Sequence, residues 1–210
     1  MSVRETYLRT AEVAVTLLSS AEVADAWTAP SALDKMTVGA VAAHLARQIH
    51  NVPVVLAQQP GEPVVWVLDH YARSAWVGAE LDAEANLVTR RNAEAEAAEG
   101  PAALASRTEA QLAELREVLA AEHEDRIVAL PWASWSMTLD DFLITRMLEI
   151  AVHNDDLACS VGLPTPALPE LAKDLVFTML WQLAVRRHGV PPVLRALARA
   201  ERAPGSIAAF

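Results

Sequence analysis

The chain has 210 residues, a formal net charge of -10 at pH 7 and one cysteine. The excess negative charge would repel a nucleic acid or an anionic membrane surface, so neither is an expected partner. A single cysteine excludes an internal disulfide and favours a reducing compartment. The charged N-terminus has no signal-peptide pattern, and no apolar run approaches the roughly 20 residues of a membrane-spanning helix. We therefore expect one domain, residues 1–210, in the cytoplasm.

Apolar residues recur at helical spacing through most of the chain. The first amphipathic helix is predicted over residues 3–20. The second follows an N-cap at Thr37 and is ended or kinked by Pro53. Residues 64–67 have strand propensity, but the apolar spacing beyond them is helical, so a helix is predicted there. The next predicted elements are helices over 82–98 and 104–122 and an extended segment over 127–130.

A long helix over 139–162 is the central predicted element, with Thr138 as its N-cap and Gly162 as its stop signal. The last long helix is predicted over 169–187, and a short one follows over 191–203. The apolar side of the last long helix is expected to face the core and comprises Leu171, Leu175, Phe177, Leu180, Trp181 and Ala184. The predicted fold is all-α: an up-and-down four-helix bundle with short additional helices.

A line of polar side chains interrupts the apolar surface of the 139–162 helix. Glu149 and His153 are four residues apart, so a helix places them one above the other and directs both side chains to one point. Arg146 precedes Glu149 by three residues, and Asp156 follows His153 by three. Buried polar groups need partners, and a metal ion satisfies a carboxylate and an imidazole together.

His44 is a histidine within the apolar stripe of the second helix. Taken alone, its position favours a core histidine that has a hydrogen-bond partner over a metal ligand. Together with Glu149 and His153 it completes a set of three ligands, and catalytic zinc sites use three protein ligands with a fourth position open. The remaining histidines are expected at the surface and comprise His50, His70, His123 and His188.

Three other side chains of this helix have alternative interpretations. Asp156 either orients a ligand histidine through its second ring nitrogen or is an ordinary surface aspartate. Arg146 either contacts a substrate carboxylate or forms an ion pair, for which the candidate partners are Asp140, Asp141 and Glu149. Cys159 has apolar neighbours in sequence and is expected to be a buried, unreactive thiol.

Two sequence blocks carry a family resemblance: MTVGAVAAHLARQ and, about a hundred residues later, TLDDFLITRMLEIAVHNDDLACSVGLP. They resemble the DinB-like superfamily and, within it, the mycothiol-dependent maleylpyruvate isomerase family of actinobacterial proteins. The resemblance implies a bundle that holds a divalent metal through His44, Glu149 and His153, and it aligns the family's Asp-Leu pair with Asp156 and Leu157. Zn²⁺ is the expected ion, with Ni²⁺ as an alternative, and mycothiol is the implied co-substrate.

The resemblance implies an S-transferase or an isomerase in which a metal-activated thiolate attacks an electrophilic small molecule. The resemblance also implies that the isomerase of this family has a further C-terminal domain that contributes to its active site. We expect no room for that domain in the 210 residues, so maleylpyruvate is not the expected electrophile and the electrophile is left open. Two alternatives remain at this stage. One is a non-catalytic, stress-related bundle that binds a metal or a small ligand; the other is a metal-dependent hydrolase. The oligomeric state is also open, with a homodimer among the alternatives.

Overall fold

The computed structural model describes residues 1–210, and α-helices form nearly all of its regular structure. The only β-sheet is a pair of short strands. In chain order the elements are α1 (Val3–Leu18), α2 (Ala21–Asp25), α3 (Val38–Leu56), α4 (Val67–Arg73), α5 (Glu84–Ala97), α6 (Pro101–Ala121), β1 (Ile127–Ala129), β2 (Ser136–Thr138), α7 (Leu139–Val161), α8 (Glu170–His188) and α9 (Val190–Ala198), followed by a 3₁₀ turn at Ala200–Arg202.

Four helices, α1, α3, α6 and α7, surround the hydrophobic core. Both α1 and α3 pack against α6 and α7, which places α1 and α3 on one diagonal of the bundle. An ion pair of 3.0 Å between Arg4 and Asp140 holds the first turns of α1 and α7 side by side. The shorter α5 packs on α3, and α8 packs on α7. The prediction of an all-α bundle of four main helices with short additional ones is confirmed.

The signals that delimit the two site-bearing helices act as the sequence indicates. Thr37 accepts a hydrogen bond of 3.1 Å from the Ala40 backbone N–H at the start of α3. Thr138 does the same for Asp141 at the start of α7, also at 3.1 Å. Gly162 ends α7 in the left-handed region with φ of 71°. Each terminus therefore has partners for backbone groups that the helix leaves unpaired.

The segment before α4 differs from the prediction because residues 64–66 are extended rather than helical. The Val65 N–H donates to the Ser136 carbonyl and the Ser136 N–H donates to the Pro63 carbonyl, both at 2.9 Å. Ser136 also belongs to β2, which pairs antiparallel with β1. The sequence predicted an extended segment at 127–130 but missed its partner strand. Pairing between segments distant in sequence determines both conformations.

Two side-chain placements also differ from the predictions. Cys159 is exposed rather than buried, because it lies on the solvent side of α7. Phe177 and Trp181 project outward from α8 instead of entering the core, because α8 contacts the bundle through Ala172, Val176 and Leu183. No helix of the structure has both the length and the apolar composition needed to cross a membrane.

Candidate metal centre

The three predicted ligands meet between α3 and α7. His44 comes from the middle of α3, and Glu149 and His153 come from successive turns of α7. The Nε2 atoms of His44 and His153 lie 3.8 Å and 3.4 Å from Oε2 of Glu149. One ligand atom from each residue lies within 4.8 Å of the other two. The two imidazole rings meet edge to face, with centroids 4.5 Å apart.

These distances fit a divalent transition-metal ion. A tetrahedral zinc site with bonds of about 2.0–2.1 Å separates its ligand atoms by roughly 3.3 Å, so the observed 3.4 Å and 3.8 Å need little adjustment. The side chains of His44, Glu149 and His153 remain 16%, 14% and 16% exposed. A small part of each ligand side chain is therefore in contact with solvent.

The ionisation of two ligands already matches metal binding. Burial, and next the positive charge of His153, lower the pKa of His44 to about 4, which keeps its imidazole neutral. Burial alone would raise the pKa of Glu149, but the imidazoles of His153 and His44, 3.4 Å and 3.8 Å away, hold it well below its usual range. Metal ligation needs a neutral imidazole and an ionised carboxylate, and both are present at neutral pH.

His153 is held by a second carboxylate. Its Nδ1 lies 2.9 Å from Oδ2 of Asp156, three residues later on the same helix. Burial disfavours the charged imidazole, but the hydrogen bond to Asp156 and the Glu149 carboxylate 3.4 Å away outweigh it and raise the pKa of His153 to about 9. A metal ion at Nε2 would displace that proton, and Nδ1 would keep donating to Asp156. Asp156 thus lies where it can orient the His153 ring, as the first of the two interpretations of this residue from the sequence requires.

Arg146 forms none of the ion pairs considered from the sequence. Asp140 pairs with Arg4 instead, and no carboxylate lies within salt-bridge distance of the Arg146 guanidinium. Its Nη1 donates to the side-chain carbonyl of Gln48, and its Nε donates to Thr145 Oγ1 at 3.1 Å. The guanidinium carbon lies 5.1 Å from the Phe142 ring centroid. Arg146 is therefore a buried cation whose hydrogen bonds go only to neutral groups.

Two buried residues of α4 were missed by the sequence interpretation. His70 is 5% exposed, not a surface histidine, and its Nδ1 accepts a hydrogen bond of 3.2 Å from the Trp135 indole. Tyr71 is buried beside it, and its hydroxyl has no hydrogen-bond partner. Both belong to α4, which packs against α7. The only sequence signal was the apolar spacing that includes Tyr71, which indicates burial but not packing against α7.

The fold and the site together define a helical bundle in which two imidazoles and one carboxylate from neighbouring helices could hold a metal ion through three ligands. The model of the family described as mycothiol maleylpyruvate isomerase N-terminal domain matches residues 8–158. The chain belongs to this family, and the resemblance of the two sequence blocks is confirmed. No curated protein and no solved structure matches the chain.

Proposed function

We propose that the protein is a metal-dependent enzyme that joins a low-molecular-weight thiol, mycothiol or a close analogue, to an electrophilic small molecule. The reaction is either an S-transfer or an isomerisation by addition and elimination. The observation that carries the proposal is the convergence of His44, Glu149 and His153 within 4.8 Å, with 14–16% of each side chain exposed. Membership in the mycothiol maleylpyruvate isomerase family supports the thiol as co-substrate.

The side chains present suit the binding of an anionic sulfur. A bound divalent ion, Zn²⁺ being the best match to this donor set, would supply the Lewis acidity that keeps a coordinated thiol in its thiolate form. Glu149 neutralises one of the two charges of such an ion, and His44 and His153 neutralise none, so the site favours one further anion. Asp156 fixes the His153 ring through Nδ1, which leaves Nε2 to face Glu149.

The first test measures metal content. We expect about one divalent ion per chain in the purified wild type, and loss of that ion in His153→Ala, because a three-ligand site has no spare donor. His123→Ala is the matched control, since His123 is 81% exposed and distant from the cluster in sequence. A wild-type protein that binds no divalent ion, with a melting temperature unaffected by chelator, would rule out the metal centre.

The second test separates catalysis from a non-catalytic bundle. Metal-loaded protein is incubated with mycothiol and an electrophile such as a haloarene or maleylpyruvate, and thiol consumption is followed. We expect consumption above the uncatalysed rate in the wild type and in His123→Ala, and none in His153→Ala. Metal binding without thiol consumption, and without a rise in melting temperature on thiol addition, would favour the structural or ligand-binding alternative.

A further inference from the structure

The ring of Phe210 occupies an aromatic pocket beside α4. Its centroid lies 5.6 Å from that of Tyr71, with the two rings inclined by 35°, and 4.9 Å from that of Trp76, with an inclination of 53°. The rings of Tyr71 and Trp76 meet edge to face, with centroids 6.1 Å apart. Packed aromatic pairs have centroid separations of about 4.5–7 Å. The three rings therefore form one cluster, in which Tyr71 and Trp76 are the walls and Phe210 is the occupant.

The segment that carries Phe210, residues 204–210, has few contacts with the rest of the protein; we call it the strap. No backbone hydrogen bond joins the strap to another part of the chain. One side-chain hydrogen bond does so, in which Nε2 of His188 donates to the Ala208 carbonyl at 2.8 Å. Four of its seven residues are exposed, and the other three are partly buried. Segments with few buried contacts and few hydrogen bonds open locally at low cost. The strap can therefore leave its place while the bundle stays folded.

The walls of the pocket are fixed by contacts in which the strap takes no part. Arg186 of α8 pairs with Asp69 of α4 at 3.1 Å, which holds the two helices together. Nδ1 of His70 accepts a hydrogen bond of 3.2 Å from the Trp135 indole, and the His70 ring meets the Tyr71 ring edge to face. Tyr71 thus keeps its position when the strap leaves. Pockets for small molecules are usually preformed in this way.

Phe210 does not satisfy every group of the pocket that it fills. Tyr71 is 1% exposed, and its hydroxyl has no hydrogen-bond partner. Burial raises the pKa of this phenol, so the hydroxyl stays protonated and is available as a donor. The phenyl ring of Phe210 has no polar atom that accepts from it, and buried polar groups without partners are rare in native proteins. A ring that carries a hydrogen-bond acceptor suits the pocket better than Phe210 does.

We propose that this pocket binds a small aromatic molecule with a polar substituent, and that the strap competes with that ligand. In this structure Phe210 takes the place of the ligand ring. A ligand that enters displaces Phe210, and the strap is then held only by the hydrogen bond between His188 and Ala208. The two short ring contacts of Phe210 and this single hydrogen bond carry the proposal. The inference does not depend on the metal ion or on the thiol.

The first test compares affinities for p-cresol, a small ring with one hydroxyl, by calorimetry on the metal-loaded full chain. Phe210→Ala should bind p-cresol more tightly than the wild type by about tenfold or more, because the open form of a two-state segment is a minor one and apparent affinity falls in proportion to it. Phe177→Ala is the matched control, since Phe177 is an exposed phenylalanine of α8. Equal affinities in the wild type and Phe210→Ala, or equal gains in the two variants, would overturn the proposal.

His188→Ala separates displacement of the strap from the cavity that truncation of Phe210 creates. This variant keeps every ring of the cluster and removes only the bond to Ala208. Affinity for p-cresol should rise by roughly twofold to tenfold, which is the usual contribution of one hydrogen bond. His123→Ala, at an exposed histidine, should leave the affinity unchanged. A His188→Ala protein with wild-type affinity would show that the strap does not compete.

Fluorine NMR follows the strap directly. The chain has three phenylalanines, so labelling with 4-fluorophenylalanine gives three signals, and Phe210→Leu assigns one of them. Saturating p-cresol should move the Phe210 signal towards that of the free amino acid and leave the signals of Phe142 and Phe177 in place. A Phe210 signal that stays in place at saturation would contradict displacement of the strap.

Tyr71→Phe tests the polar substituent of the ligand. The Tyr71 hydroxyl has no partner to lose, so the melting temperature should be unchanged or higher. The ratio of p-cresol affinity to toluene affinity should fall by about threefold to tenfold, because toluene has no atom that accepts from the hydroxyl. A ratio that Tyr71→Phe leaves unchanged would rule out a hydrogen bond between Tyr71 and the ligand.

Discussion

At the scale of the residue, Asp156 is the side chain whose role is open to the most direct test. Its Oδ2 accepts from Nδ1 of His153 at 2.9 Å, which leaves Nε2 to face Glu149. Asp156→Asn should weaken metal affinity by about tenfold to hundredfold, since a carboxylate behind a ligand histidine orients the ring and raises its basicity. Competition with a chromogenic chelator measures the dissociation constant.

Asp155→Asn is the matched control for that prediction. Asp155 is the adjacent, exposed carboxylate, and it accepts from Thr165 rather than from a ligand. Its replacement should leave metal affinity unchanged. Equal affinities in the two variants and the wild type would show that Asp156 is a surface aspartate whose contact with His153 contributes nothing to metal binding.

The ligand set could be predicted from the sequence because its geometry is mostly local. Glu149 and His153 need only a regular helix to share a face, and His44 stands out as a polar residue in an apolar stripe. Tyr71 could not be predicted, since its place depends on how α4 packs against α7. Arg146 was misjudged for a similar reason, because Asp140 pairs with Arg4 from a helix far away in sequence.

At the scale of the element, long helices were predictable and short segments were not. α1, α3, α6 and α7 each extend over several turns, so their apolar periodicity repeats often enough to be recognised. Residues 64–66 and β2 are too short to carry a period. Their conformation comes from hydrogen bonds with each other across about seventy residues of sequence, as between Val65 and Ser136. Local propensity does not contain that information.

Gly39 provides a test of packing at the start of α3. A Cβ there would lie 2.7 Å from the Trp27 ring, and the Trp27 indole donates to the Ala97 carbonyl at 3.1 Å. Gly39→Ala would gain up to about 1 kcal/mol of helix propensity, but overpacking costs about 1–3 kcal/mol. We expect a net loss of about 1 kcal/mol in the free energy of unfolding, measured in urea. Gly61→Ala, which has open space around it, should be close to neutral.

At the scale of the whole molecule, two histidines outside the ligand set couple stability to pH. Burial, followed by the positive charge of Arg107, lowers the pKa of His50 to about 4. Burial, followed by the positive charge of Arg146, lowers the pKa of His70 to about 4. An unfolded histidine titrates near pH 6.5, so below that pH the unfolded chain binds more protons than the folded one. The contribution of these two neutral histidines to the free energy of unfolding is therefore complete above about pH 6.5 and is lost as the pH falls towards 4.

The expected outcome is a melting temperature that declines steadily between pH 6.5 and 4, measured by calorimetry in the presence of chelator. His70→Gln should make that decline shallower, because one buried neutral imidazole no longer has to be protonated on unfolding. His123→Gln should leave the slope unchanged, since His123 is exposed and its imidazole is not buried in the core. The negative charge of Glu149 opposes the effect of Arg146 and raises the pKa of His70, but burial and Arg146 outweigh it. A slope that His70→Gln does not alter would place the pH dependence elsewhere in the bundle.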